Sequence, residues 1–121
     1  MSTDPYSAKV RELFAAVAHA GETEGGETTL ADDQGVRLRL SATAVDGRVE
    51  AMRFKAWGCP HMIAATEAAC AALEGQPVAA LADWAAADVM QNLPVPVEKT
   101  GRILVLEDTV RSLGQRFRGG T

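Results

Sequence analysis

The 121-residue chain has only two cysteines, no surplus of basic side chains and no long apolar run. Each shortage excludes something. Two cysteines, Cys59 and Cys70, cannot make a disulfide framework. If both lie on one helix, their separation of eleven residues spans about 16 Å along the axis. A disulfide tolerates roughly 7 Å between Cα atoms, so the two are not bonded to each other. A formal net charge of −4 gives no long-range attraction to nucleic acid or to an anionic membrane surface. No apolar stretch reaches the roughly 18 residues that read as a membrane span. Met1–Pro5 lack the basic stretch and apolar segment of a secretory leader, and a cytoplasmic location is the default expectation. A Ser/His/Asp set, a phosphate-cradling glycine loop and a cysteine pair at metal-binding spacing are all missing, so the chain is not expected to be an enzyme.

What is there reads as one domain over residues 1–121, 47% hydrophobic and 23% charged, an ordinary globular balance. Asp4 and Pro5 open a helix, Tyr6, Val10, Leu13, Phe14 and Val17 repeat along it, and Gly21 ends it. His19, near its end, reads as a surface residue or a partner of the helix dipole. Gly21–Thr29 reads as a polar, flexible connection, overlapping a short strand around Glu27–Leu30. Val36, Leu38 and Leu40 alternate with Arg37, Arg39 and Ser41 as in a half-buried strand. Asp46-Gly47 signals a two-residue hairpin, and Val49–Trp57 returns with Met52, Phe54 and Ala56 on one side.

Gly58-Cys59-Pro60 marks the change to an alanine-rich helix that runs to Leu73, with Gly75 after it. Short helices follow over Pro77–Ala82 and, capped by Asp83, over Trp84 to about Asn92. Pro94 and Pro96 make Leu93–Thr100 an extended loop. A last helix carries Leu106, Val110, Leu113 and Phe117 on one face, with Glu107 and Asp108 in its first turn and Arg116 and Arg118 in its last, matching the dipole. A helix, then strands, then helices is the order of an α+β protein.

These residues resemble the IscU/NifU N-terminal family of iron–sulfur cluster assembly scaffolds. The resemblance is carried by Tyr6-Ser7-Ala8-Lys9-Val10, by Arg53-Phe54-Lys55-Ala56-Trp57-Gly58-Cys59 followed by Ile63-Ala64, and by Asp88-Val89, Pro96, Lys99 and Glu107-Asp108. The Phe-Lys-x-aromatic-Gly-Cys segment is the most specific of these. The resemblance implies an α+β domain with a three-stranded antiparallel sheet packed against about four to five helices. It also implies a scaffold that accepts sulfide from a cysteine desulfurase and iron, builds a [2Fe–2S] cluster and passes it on.

The family's site uses three cysteines, an aspartate two residues after the first and a histidine just before the third. Here the first cysteine's position falls on Asp32 by strand phase or on Asp33 by counting back from Cys59. The aspartate falls on Gln34 or Gly35, and the histidine and third cysteine fall on Gly101 and Arg102. Cys59 alone remains of the cysteines. At a helix N-terminus it is either a thiolate ligand, favoured by the dipole, or a small buried residue in a strand-to-helix turn. Cys70 shares the apolar face of Ile63 and Leu73 and reads as core. Asp32 and Asp33 are oxygen ligands for iron or zinc or a solvated turn. His61 is a further candidate, although residues two apart on a helix face differently. Arg102 replaces a donor by a fixed positive charge and would fill an emptied site by pairing with Asp32 or Asp33. Val95-Pro96-Val97-Glu98-Lys99 stands where the family has a loop recognised by an Hsp70-type chaperone.

Two functions follow from the resemblance. One is a divergent scaffold holding iron, zinc or a labile [2Fe–2S] cluster around Cys59, with a homodimer as one way to supply further ligands. The other is a paralogue without metal or cluster that acts as an adaptor or regulator of a desulfurase or chaperone.

Overall fold

A computed structural model of the protein describes residues 17–33, 35–57, 60–91 and 100–119. The expected first helix up to residue 16, Cys59 and the Val95–Lys99 segment lie outside the described residues; residues 17–20, expected as the end of that helix, are not helical, because His19 and Ala20 run beside Phe54 of the sheet instead.

Three strands form an antiparallel meander, β1 (Glu27–Asp33), β2 (Val36–Val45) and β3 (Arg48–Trp57), in the spatial order β1-β2-β3. The alternation along β2 sends Val36, Leu38, Leu40 and Ala42 into the core, because successive side chains leave a strand on opposite faces. Asp46 and Gly47 take φ of 55° and 76° at the hairpin, the left-handed pair that a two-residue turn needs to match strand twist. The register shifts between Thr43 and Ala44: Thr43 faces Ala51, but Ala44 faces Val49. Glu50 is therefore an extra residue in β3. A bulge of this kind resets the pleat, and Val49 and Met52, three apart, both reach the core. Strict alternation does not give that pair.

β1 begins at Glu27, so the connection before it is shorter than the expected Gly21–Thr29. Its start is also tied down. The Phe54 N–H donates to the His19 carbonyl at 2.9 Å, and the Gly21 N–H donates to the Phe54 carbonyl at 2.8 Å. At the other end of β3, Val49 exchanges backbone hydrogen bonds with Gly75 and Gln76, each 2.8 Å. Both stretches of this edge strand are thus covered by chain.

Two helices pack on the sheet, α1 (Pro60–Leu73) against β3 and α4 (Thr100–Gly119) against β1 and β2. Between them α2 (Ala79–Ala82) and α3 (Ala87–Met90) are single turns. Among the described residues the sheet is thus packed by two long helices with two single turns between them, in place of the four to five helices expected. Six of the fourteen residues of α1 are alanine; small side chains let it lie close to β3, and most of its circumference is buried.

The last helix starts at Thr100, two turns earlier than expected, which brings Ile103 into the core beside Leu106, Val110 and Leu113. Glu107 and Asp108 consequently sit well inside it rather than in its first turn. Arg116 and Arg118 do lie in its last turn. Asp83 makes no cap for α3, which begins only at Ala87. The carboxylate there belongs to Glu107, which accepts the Ala86 N–H at 2.9 Å, while Arg111 donates to the Trp84 carbonyl at 2.8 Å. No helix among the described residues is long and apolar enough to cross a membrane.

Candidate functional site

The meander brings Asp32 and the end of β3 to the same end of the sheet. Asp32 pairs in register with Arg37, and Arg37 with Trp57, the last residue of β3. Two residues beyond Trp57 comes position 59, and α1 starts at Pro60. Strands lie about 4.8 Å apart, so the backbones of Asp32 and Trp57 are about 10 Å from each other across β2.

The two acids of β1 face opposite ways. Thr29 and Ala31 turn toward the core, and Asp33, at the same phase, lines a hollow of about 140 Å³ with Asp108, Val105, Thr109 and Ser112 of α4. It therefore lies on the side of the sheet where the helices pack. Asp32 points to the outer face, where it pairs with Arg37 at 3.2 Å and both side chains are about two-thirds exposed. Such a pair is worth little, about 0–1 kcal/mol. The partner expected for Asp32, Arg102, is half-buried near the start of α4. His61 is buried, 3% exposed, in the first turn of α1. Among the described residues, no three His, Cys, Asp or Glu side chains are grouped as a metal site.

Trp57 stands 56% exposed and Leu30 65% exposed on the outer face. Arg39 and Lys55 are there too, both held by Glu22, which lowers the Glu22 pKa.

A second polar cluster lies at the other flank of α1. His19 is not a surface residue. Its backbone N–H donates to Glu67 Oε1 at 2.8 Å, its Nδ1 meets Glu67 Oε2, and its Nε2 meets Glu74 Oε1 at 2.8 Å. Glu74 also accepts the Met52 N–H at 2.8 Å and Arg53 Nη1 at 2.7 Å. Burial works against charge on both groups, but the hydrogen bonds win: the His19 pKa is raised and the Glu74 pKa is lowered. The sequence held one signal of this cluster. Glu67 in α1 and Glu74, the residue after its end, are seven apart and lie three before and four after the buried Cys70.

Cys70 is wholly buried. Burial, with the fields of Glu67 and Glu74 added, pushes its thiol pKa well up, and a thiol that does not ionise is inert. In a Cys59→Ser protein, Cys70 should react with a disulfide reagent more than about 100-fold faster in guanidinium than in native buffer. Rapid labelling of the native protein would show that the helix opens around it.

With the fold in place, the family can be tested on the whole chain. The family model described as NifU-like N terminal domain matches residues 5–118. The chain belongs to this NifU-like family. Solved structures agree in fold. A nitrogen-fixing NifU-like protein (N-terminal) from Brucella abortus superposes with TM-score 0.72 at 13% identity, covering 95% of each chain. A putative iron-sulfur cluster assembly scaffold protein for the SUF system from Fervidobacterium islandicum gives TM-score 0.56 at 14% identity, over 87% of this chain and 81% of that one. No curated protein matches the chain. In this NifU-like chain β3 ends at Trp57 and α1 starts at Pro60, on either side of position 59 in the sequence.

Proposed function

We propose that the protein is an iron–sulfur cluster assembly scaffold that receives iron, zinc or a labile [2Fe–2S] cluster as cargo at Cys59. The observation that carries this reading is the NifU-like match over residues 5–118, with Cys59 immediately before Pro60, the first residue of α1. A helix N-terminus favours thiolate, the form that binds metal or accepts sulfur.

Of the two acids, Asp33 is the better second donor, because it lies on the side of the sheet where the helices pack, whereas Asp32 points to the outer face. His61 is the third donor. One thiolate with carboxylate and imidazole suits iron(II) or zinc. A [2Fe–2S] cluster takes four ligands, mostly thiolates, and would need a second copy of the chain to bring its own Cys59. Sulfur is supplied by a cysteine desulfurase, so the chain performs no reaction of its own. The Val95–Lys99 segment is the proposed contact for an Hsp70-type chaperone. The proposed setting is the cytoplasm.

The test is anaerobic reconstitution with iron(II), cysteine, a desulfurase and a thiol reductant that reduces the delivered persulfide sulfur to sulfide, reading iron, acid-labile sulfide and visible absorption. The expected result is about one iron or more per chain in the parent protein and at least tenfold less in Cys59→Ser. Equal, trace loading of both proteins would overturn it. Arg102 at the third cysteine's position favours a second reading, an adaptor that binds the desulfurase without cargo. Trace loading with retained desulfurase binding is the result that reading expects.

A further inference from the structure

Residues 19–21 are fastened to the body of the protein by backbone hydrogen bonds and by one side chain that needs two protons. A neutral imidazole has one N–H and one lone pair. Both ring nitrogens of His19 face carboxylate oxygens, Nδ1 toward Glu67 and Nε2 toward Glu74, so both must donate and the ring is the imidazolium. We propose that His19 is a proton-operated clasp: doubly protonated, it pins residues 19–21 to α1 and to the edge of β3, and loss of one proton releases them.

The two carboxylates differ in how far they depend on it. Glu74 is also held by the Met52 N–H and by Arg53. Among the described residues, Glu67 takes both of its hydrogen bonds from His19, one from the ring and one from the backbone. Its side chain is only 5% exposed. A neutral ring therefore either turns a lone pair toward a buried carboxylate or gives up Glu74. The groups around the ring are Glu67 of α1, Glu74 just past its end and Arg53 of β3 beyond Glu74; Cys70 feels both carboxylates, and its thiol stays neutral. The same backbone that carries the ring covers Phe54, through Phe54 N–H to His19 and Gly21 N–H to Phe54. The state of the ring and the cover of the β3 edge are mechanically one event.

The direction with pH follows from linkage. The ring's ordinary pKa is 6.5 and the closed clasp raises it. Closure is therefore complete below 6.5 and weakens about tenfold per pH unit as pH climbs from there to the raised value. On the acid side Glu74 is lowered from 4.5, so its contribution is present above 4.5 and is lost as pH falls below it. The clasp is tightest between these limits.

Hydrogen exchange read by NMR from pH 5.5 to 8.5 tests it. After correction for the intrinsic base-catalysed rate, protection of the Gly21 and Phe54 amides should fall about tenfold or more with rising pH. The Val49 and Gly75 amides, bonded at the far end of β3, should stay within about twofold. His19→Gln should abolish the step, and Glu74→Gln should move its midpoint to lower pH. A flat profile at Gly21 and Phe54 in the parent protein would overturn the clasp, as would the same step in His19→Gln or an unmoved midpoint in Glu74→Gln.

Discussion

Gly114→Ala is expected to lower the thermal midpoint by about 8–12 °C, the shift that a loss of about 2–3 kcal/mol brings in a domain of this size. Two effects oppose each other. Alanine inside a helix is favoured over glycine by about 1 kcal/mol. Against this, a methyl at 114 would sit 2.5 Å from the backbone nitrogen of Ala82 and 2.9 Å from its Cα and from the Leu81 carbonyl carbon. These are backbone atoms of α2 and its junction, so no rotamer change relieves the overlap. The two helices must part, uncovering Leu81 and Leu113, both wholly buried now. Overpacking of this kind costs about 1–3 kcal/mol and more when backbone must move. Circular dichroism melts of the two proteins measure it, and an unchanged or higher midpoint would mean that α2 yields freely.

Glu67→Ala should cost about 3 kcal/mol in urea unfolding at pH 6, where His19 is charged. The substitution does more than delete an ion pair. It leaves the His19 backbone N–H without its acceptor and a part-buried imidazolium with Glu74 alone. An unmet buried donor costs about 1–3 kcal/mol, and the loss of half the countercharge adds to it. Glu67→Gln keeps an oxygen for the backbone N–H and should cost roughly half as much. The gap between the two variants separates the neutral hydrogen bond from the charge. Costs below about 1 kcal/mol in both would place the cluster in water rather than in the fold.

Where neighbours in sequence are neighbours in space, the fold was legible. The alternation of Val36, Leu38 and Leu40 gave β2, Asp46-Gly47 gave the hairpin, and Pro60 and Gly75 bracketed α1. The bulge at Glu50 was not readable, because it shows only as the burial of Val49 beside Met52. The start of α4 at Thr100 was hidden because Pro94 and Pro96 made the sequence up to Thr100 read as extended. Asp83 looked like a cap from its spacing alone; Glu107 takes the Ala86 N–H because α4 carries it there from 21 residues away.

The site was half legible. The segment before Cys59 marked the family, but the opposite faces taken by Asp32 and Asp33 needed the phase of β1, which depends on its register with β2. His19 was misplaced for a related reason. Its partners are 48 and 55 residues distant, and no local pattern reports a contact across that span.

Runaway stacking of sheets into fibrils needs two open rims, one to offer hydrogen bonds and one to receive them. Residues 19–21 and 75–78 occupy β3 along both of its halves. Among the described residues the rim at β1 is the one left for another chain. Growth from one rim stops at a pair, so among the described residues the strapping of β3 leaves strand-to-strand assembly room for two copies.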